Sequence, residues 1–247
     1  MISQIAAQIA AQCRTQIPGV AAPVVPSGPY VVSVSSDFRA DGSTGWTYPL
    51  DAHQTDDIIL MYLHQDDNAS PSGWSASTDW TYWFSSIGSD MGANNRATQW
   101  IRCTSGAMTN PTINPITPTA SKQVVVTCVV IRGCVTAGIP FEAEARRNAY
   151  NANCLIFAAT PTVTGGLLVC HTMQGYQSWT GSYTTPPPPA GWTLDGQATG
   201  SQGLWKDFFM SYDTLTTSGV DTPAETMMVL SSANQQYSNW MIMKPAV

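Results

Sequence analysis

Three histidines, two acidic clusters, six cysteines and nine tryptophans are the residues of this 247-residue chain best equipped for chemistry. His64 and His171 fall at or near the ends of two strand-like runs that echo one another, and His53 stands in a polar segment. A histidine pair could bind a metal. Positions related by a repeat need not be neighbours, however, and strand-end packing or a solvated position is the simpler reading. Asp56-Asp57 and Asp66-Asp67-Asn68 suggest the facing carboxylates of glycoside hydrolysis or an oxygen cage for calcium. No ligand spacing supports a cage, and adjacent acidic residues in loops ordinarily form turns. The chain has no H-E-x-x-H, no G-x-S-x-G and no phosphate-cradling glycine loop. Cys13, Cys103, Cys128, Cys134, Cys154 and Cys170 include no C-x-x-C pair, so zinc spacing is absent. Cys128, Cys134 and Cys170 lie in or beside apolar runs and read as small buried hydrophobes. A disulfide stays open in principle, although a cytoplasmic origin argues against one. The expectation is a protein without catalytic residues, metal or cofactor.

Residues suited to binding are easier to find. Tyr176 and Trp179 occupy a long polar loop that ends in four prolines, and such a tip could stack on a sugar ring or a partner. Glu142, Glu144, Arg146 and Arg147 form the only dense charge cluster, either a solvated loop or an interface. Arg132-Gly133 closes the most apolar run. It reads as a strand-end charge followed by a turn glycine, or as an ion pair fixing an intersubunit contact.

Composition limits what these residues can serve. Charged residues are 11 % of the chain and the net charge is −6, whereas an average soluble domain carries roughly 25 % charge. There is no basic excess for phosphates, which excludes a free-standing nucleic-acid binder. No run reaches about 18 consecutive apolar residues, so no helical membrane span is expected. With 43 % hydrophobic residues the chain can build a core and is not a disordered segment. Its surface must be largely Ser, Thr, Asn and Gln, which suits a protein packed in an assembly or working outside a cell.

The elements that would position these residues divide the chain at about residue 29. Ile2, Ile5, Ile9, Cys13 and Ile17 recur at spacings of three and four among alanines, which predicts a helix over 2–17 stopped by Pro18-Gly19. Gln4, Gln8, Gln12 and Gln16 interrupt the start, so it does not read as a secretory signal. The segment 21–29, with Pro23, Pro26 and Pro29, reads as an extended tether. A short helix with one Ile stripe is not stable alone. It must dock on its own domain or on partner subunits, and the tether favours partners.

Residues 30–247 read as an all-β sandwich. The periodicity predicts about ten strands, at 30–35, 57–64, 80–85, 98–103, 122–132, 152–158, 166–173, 204–212, 225–231 and 239–244. The run Val124–Ile131 is apolar at every position but Thr127 and reads as a central strand covered on both faces. Glu142–Asn151 is the one stretch that suggests a helical turn. Asp57–Leu63 leads to Pro71-Ser72-Gly73-Trp74, and Gly166–Cys170 leads to Pro189-Ala190-Gly191-Trp192, with the two tryptophans 118 residues apart. This weak echo predicts two half-domains of the same strand order, stacked as one sandwich with its tryptophans in or beside the core.

The ordered series Asp56-Asp57-Ile58-Ile59-Leu60, Pro71-Ser72-Gly73-Trp74, Val130-Ile131-Arg132-Gly133-Cys134 with Ile139-Pro140, Thr160–Thr164, Gly166–Val169 and Pro189–Trp192 resembles the pattern of tailed-phage virion and tail-fibre β-sandwich proteins. It covers residues 30–245 and departs at Asp56, where the pattern carries glycine. The resemblance implies a jelly-roll or lectin-like sandwich in a non-enzymatic structural protein. Such a protein decorates or attaches to capsid, neck or tail, with residues 1–29 as anchoring arm. The expected partners are other virion proteins and further copies of the chain, a trimer among the options. The location is the virion after synthesis in a host cytoplasm, with no nucleic-acid or membrane partner. The alternative is a receptor module that binds host glycan through its loop aromatics.

Overall fold

The computed structural model describes residues 28–39, 45–66, 80–87, 94–113, 124–149, 154–156, 162–175, 191–199, 205–215, 225–227 and 235–246. They contain strands and no helix. The expected helix over 2–17 lies outside the described residues. The first half supplies β1 (Tyr30–Arg39), β2 (Trp46–Thr47), β3 (Ile58–Asp66), β4 (Thr81–Ile87), β5 (Asn94–Arg102), β6 (Thr112–Ile113) and β7 (Val124–Arg132). The second half supplies β8 (Phe141–Ala149), β9 (Cys154–Ile156), β10 (Gly166–Gly175), β11 (Thr193–Thr199), β12 (Trp205–Leu215), β13 (Glu225–Met227) and β14 (Gln235–Met243).

Each half of the chain makes one antiparallel five-stranded sheet. The first has the order β1-β7-β3-β5-β4 and the second β8-β14-β10-β12-β11, so adding seven to every strand of the first sheet generates the second. The two small ribbons obey the same rule, β2 pairing with β6 and β9 with β13. Tyr30 and Phe141, Asn94 and Trp205, and Val124 and Gln235 open corresponding strands, each pair 111 residues apart. Two of the irregularities are repeated too, while the bulge between Gly166 and Leu168 in β10 belongs to the second half alone. A bulge falls between Val31 and Ser33 where β1 pairs with β7, and another between Phe141 and Ala143 where β8 pairs with β14. A second pair of bulges falls between Tyr82 and Phe84 and between Leu194 and Gly196. Bulges fix register and re-aim the strand, so their recurrence marks the two halves as copies of one unit.

The sheets pack face to face. Ile58, Leu60 and Tyr62 of β3 and Val129 and Ile131 of β7 meet Leu167 and Val169 of β10, Phe209 of β12, and Met241 and Met243 of β14. The β1 and β11 strands approach so closely that a Cβ at Gly196 would lie 2.3 Å from Val34 Cγ1. The opposite face of the first sheet is covered as well. Ile59, Met61, Leu63, Val124, Val126, Cys128 and Val130 lie beneath Tyr48, Cys103 and Ile113, with Trp46, Leu50 and Met108 packed against the same cluster. Covering both faces is why β7 is an apolar run rather than an alternating one. Trp80, Trp192 and Trp240 are buried, as expected of core-edge tryptophans.

Four strands have no counterpart among the expected ones: the two-residue β2 and β6, and the longer β8 and β11. The expected helical turn over Glu142–Asn151 is absent from its described part: Phe141–Ala149 is the edge strand β8. Glu, Ala and Arg favour helix locally, but that preference is a few tenths of a kcal/mol per residue, and the pairing along β14 overrides it. The strand β11, Thr-Leu-Asp-Gly-Gln-Ala-Thr, has the composition of a turn and is held in the sheet by β12.

Candidate functional site

Two features of the described residues gather side chains from distant parts of the chain: a tied corner of the sandwich and an open cleft on its flank.

The corner begins with the turn ahead of β3. Asp56 has φ 69°, the left-handed region that glycine enters freely and aspartate tolerates. Its amide donates to Cys103 O at 2.9 Å, and the Cys103 amide donates to Asp57 O at 2.8 Å. The turn presents Asp57, only 1 % exposed, to the end of β7. Arg132 Nε donates to Asp57 Oδ1 and Arg132 Nη2 to Asp57 Oδ2, both at 2.8 Å, while the Gln54 amide donates to Oδ2 at 2.8 Å. The hydrogen bonds to Asp57, seconded by Tyr30, hold the guanidinium well above its ordinary range. Arg132, read from sequence as a strand end or an intersubunit charge, thus has an intrachain partner. In the second half the residue corresponding to Asp56 is Gly165, with φ 82°. The position where the resembled pattern carries glycine is therefore one whose backbone calls for it.

Past Arg132 the backbones themselves close up. A Cβ at Gly133, where φ is 81°, would lie 2.6 Å from Gly28 O, and one at Gly28 would lie 2.5 Å from Gly165 O. The Ala246 amide donates to Gly133 O at 2.8 Å and the Val135 amide to Lys244 O at 3.0 Å. The entry of β1, the exit of β7, the entry of β10 and the exit of β14 therefore meet at one point. Arg102 adds bonds to the carbonyls of Val135 and Gly138.

The histidines are built into the fold. His53 Nε2 accepts from the Met108 amide at 3.0 Å, so the ring proton is on Nδ1, which donates to Asp51 O at 2.6 Å. His64 and His171 are both buried. His171 stacks on Tyr62 with ring centroids 4.1 Å apart and planes at 18°. Pairing registers make Tyr62 and His171 equivalent: Tyr62 faces Thr98 of β5 as His171 faces Phe209 of β12, and Thr98 and Phe209 are 111 residues apart. The two copies of one position thus touch across the pseudo-symmetric core. Among the described residues no group of three or more His, Cys, Asp or Glu could hold a metal ion.

Cys103, Cys128, Cys134 and Cys170 form no disulfide and are buried. Burial pushes the Cys103 and Cys134 thiols up to about 12 from 9.0, and Cys128 further. Two outcomes follow. In native buffer at pH 8 these four thiols stay unmodified by iodoacetamide, as peptide mapping will show, and in denaturant all react. Because the unfolded chain loses thiol protons that the native chain keeps, stability falls as pH rises from about 9 towards 12. Urea midpoints at pH 8 and pH 10.5 measure that loss.

Other residues singled out from sequence divide as follows. Glu142 accepts from the amide and hydroxyl of Thr162, which ties β8 to the segment before β10. Glu144 and Arg146 stand opposite Met241 and Asn239 in register, and Arg147 opposite Ser238. Ile2, Ile5, Ile9, Cys13, Ile17, Tyr176 and Trp179 lie outside the described residues, as do Asp67 and Asn68.

The cleft was not anticipated from sequence, because its walls come from three separate places in the chain, Leu50, Trp80 and the segment 101–111. It measures about 430 Å³ and lies on the covered flank of the first sheet. Leu50, Trp80, Ile101 and Met108 supply apolar walls, and Thr104, Ser105, Thr109 and Asn110 supply hydroxyl and amide groups. The segment 103–113 is fixed by several bonds. Besides those to His53 and Asp57, the Leu50 amide donates to Asn110 Oδ1 at 3.0 Å and the Tyr48 amide to Pro111 O at 2.9 Å.

No protein family, no curated protein and no solved structure matches this chain.

Proposed function

We propose that the chain is a non-enzymatic structural protein of a tailed-phage particle. It attaches to capsid, neck or tail through residues 1–29 and carries a jelly-roll or lectin-like sandwich. The observation that supports this reading is the corner at Gly28, Gly133 and Gly165. Chain leaving the arm enters the fold at Gly28–Pro29, the point where strands of both sheets converge and where Asp57 grips Arg132. Tension applied through the arm is delivered to both sheets at once rather than to the free end of one edge strand. A surface with few charges, in a chain of 11 % charged residues, suits close packing against neighbours. The Ile stripe at 2, 5, 9, 13 and 17 suits a groove on the particle or a bundle of three copies. Repeated attachment then multiplies the strength of each contact.

Particles assembled without this protein provide the test. The tagged full chain is expected to bind them, and a chain lacking residues 1–29 to lose about 100-fold or more of that binding as avidity disappears. Retention of full binding by the shortened chain overturns the reading.

A further inference from the structure

We propose that the cleft between Leu50, Trp80 and the 104–111 segment binds a neutral saccharide. Three properties of the site carry this, and the anchoring arm has no part in them. The first is charge. None of the residues lining the cleft is Asp, Glu, Lys, Arg or His. An anionic or cationic ligand would leave its hydration with no counter-charge in return, whereas an uncharged ligand loses nothing on that account. The second is the mixture of surfaces. The Trp80, Ile101 and Met108 walls offer apolar area of the kind the C–H faces of a sugar ring cover. Hydroxyls and an amide stand beside them, and the volume of about 430 Å³ falls among small-ligand sites.

The third is which polar atoms remain available. Asn110 spends Oδ1 on the Leu50 amide, which leaves its NH₂ to donate. Thr104 donates its hydroxyl hydrogen to Met108 Sδ at 3.4 Å and keeps its oxygen lone pairs. Ser105 Oγ accepts from the Ala107 amide at 3.2 Å and keeps its hydrogen. Together with the exposed Thr109 hydroxyl, these make an alternation of donors and acceptors on a rim whose backbone is already pinned to His53, Leu50 and Tyr48. A polyol, in which every hydroxyl both donates and accepts, matches such a rim. The rigid rim also reduces the ordering cost of binding.

The full chain is to be titrated with maltotriose, cellotriose and chitotriose, and with sialyllactose and a sulfated disaccharide as charged counterparts, read by tryptophan fluorescence. At least one neutral probe is expected to bind and the charged ones not to. Ala107→Trp fills the cleft while keeping its backbone bonds, and is expected to abolish binding at an unchanged melting temperature. Thr109→Val removes one hydroxyl and is expected to weaken binding about 3- to 10-fold. Failure of every neutral probe, equal or tighter binding of the charged probes, or wild-type affinity in a folded Ala107→Trp chain overturns the proposal. If Ala107→Trp does not fold, Thr109→Val decides, and wild-type affinity there overturns it.

Discussion

Replacing Gly133 by alanine is expected to destabilise the fold by about 2–5 kcal/mol, the sum of a left-handed backbone cost of roughly 1–2 and an overpacking cost of roughly 1–3. Both terms are present there because φ is 81° and the new Cβ would lie 2.6 Å from Gly28 O. Backbone atoms cannot rotate aside as a flexible side chain can. Two other glycines separate the contributions. Gly138 has φ 70° and nothing within 4 Å of its Cβ position, so Gly138→Ala should cost only the backbone term. Gly28 meets Gly165 O at 2.5 Å from its Cβ position, so Gly28→Ala reports the close approach. Urea denaturation of the three variants at pH 7 measures the series. Equal losses in Gly133→Ala and Gly138→Ala would show that close approach at the corner contributes nothing to stability.

The ion pair beside that glycine should respond asymmetrically. Asp57 is 1 % exposed, while the Arg132 side chain is 30 % exposed. Arg132→Met strands a buried carboxylate and is expected to cost about 3–5 kcal/mol, the range for a broken buried pair. Asp57→Ala leaves a guanidinium that can still reach water, so its cost should be smaller, about 2–3 kcal/mol, mostly for three lost hydrogen bonds. In the double variant no charge is stranded. The cycle should therefore show a coupling of about 1–3 kcal/mol. Additive losses, or an Asp57→Ala chain less stable than Arg132→Met, would mean that burial of the carboxylate is not what makes the pair matter.

Motifs that looked separate along the chain prove to be parts of one contact. Asp57 and Arg132 lie 75 residues apart, each at the end of an apolar run. Nothing in either local pattern names the other as its partner, because an ion pair is a matter of distance and spacing along the chain does not encode distance between strands. The echo between Asp57–Leu63 and Gly166–Cys170 was legible in the residues. It involves the middle strands of the two sheets, where burial on both sides restricts the choice of side chain. At the edges that restriction is lifted, and so β8 reads as a helical turn and β11 does not read as a strand. Their assignment comes from hydrogen-bonding partners supplied by β14 and β12.

By itself the sequence determined that residues beyond 29 form short strands, that Val124–Ile131 is covered on both sides, and that the β3 and β10 runs echo one another, although the counterpart of Trp192 just before β11 is Trp80 just before β4 and not Trp74. These are consequences of periodicity and apolar content, which act residue by residue along the strand. Only the tertiary structure decided that each repeat is a whole sheet, that Tyr62 and His171 stack at equivalent positions, that Arg132 is tied to Asp57, and that an uncharged cleft opens beside Trp80. Each of these depends on bringing together residues tens of positions apart, and that proximity arises only when the two sheets exclude water between them.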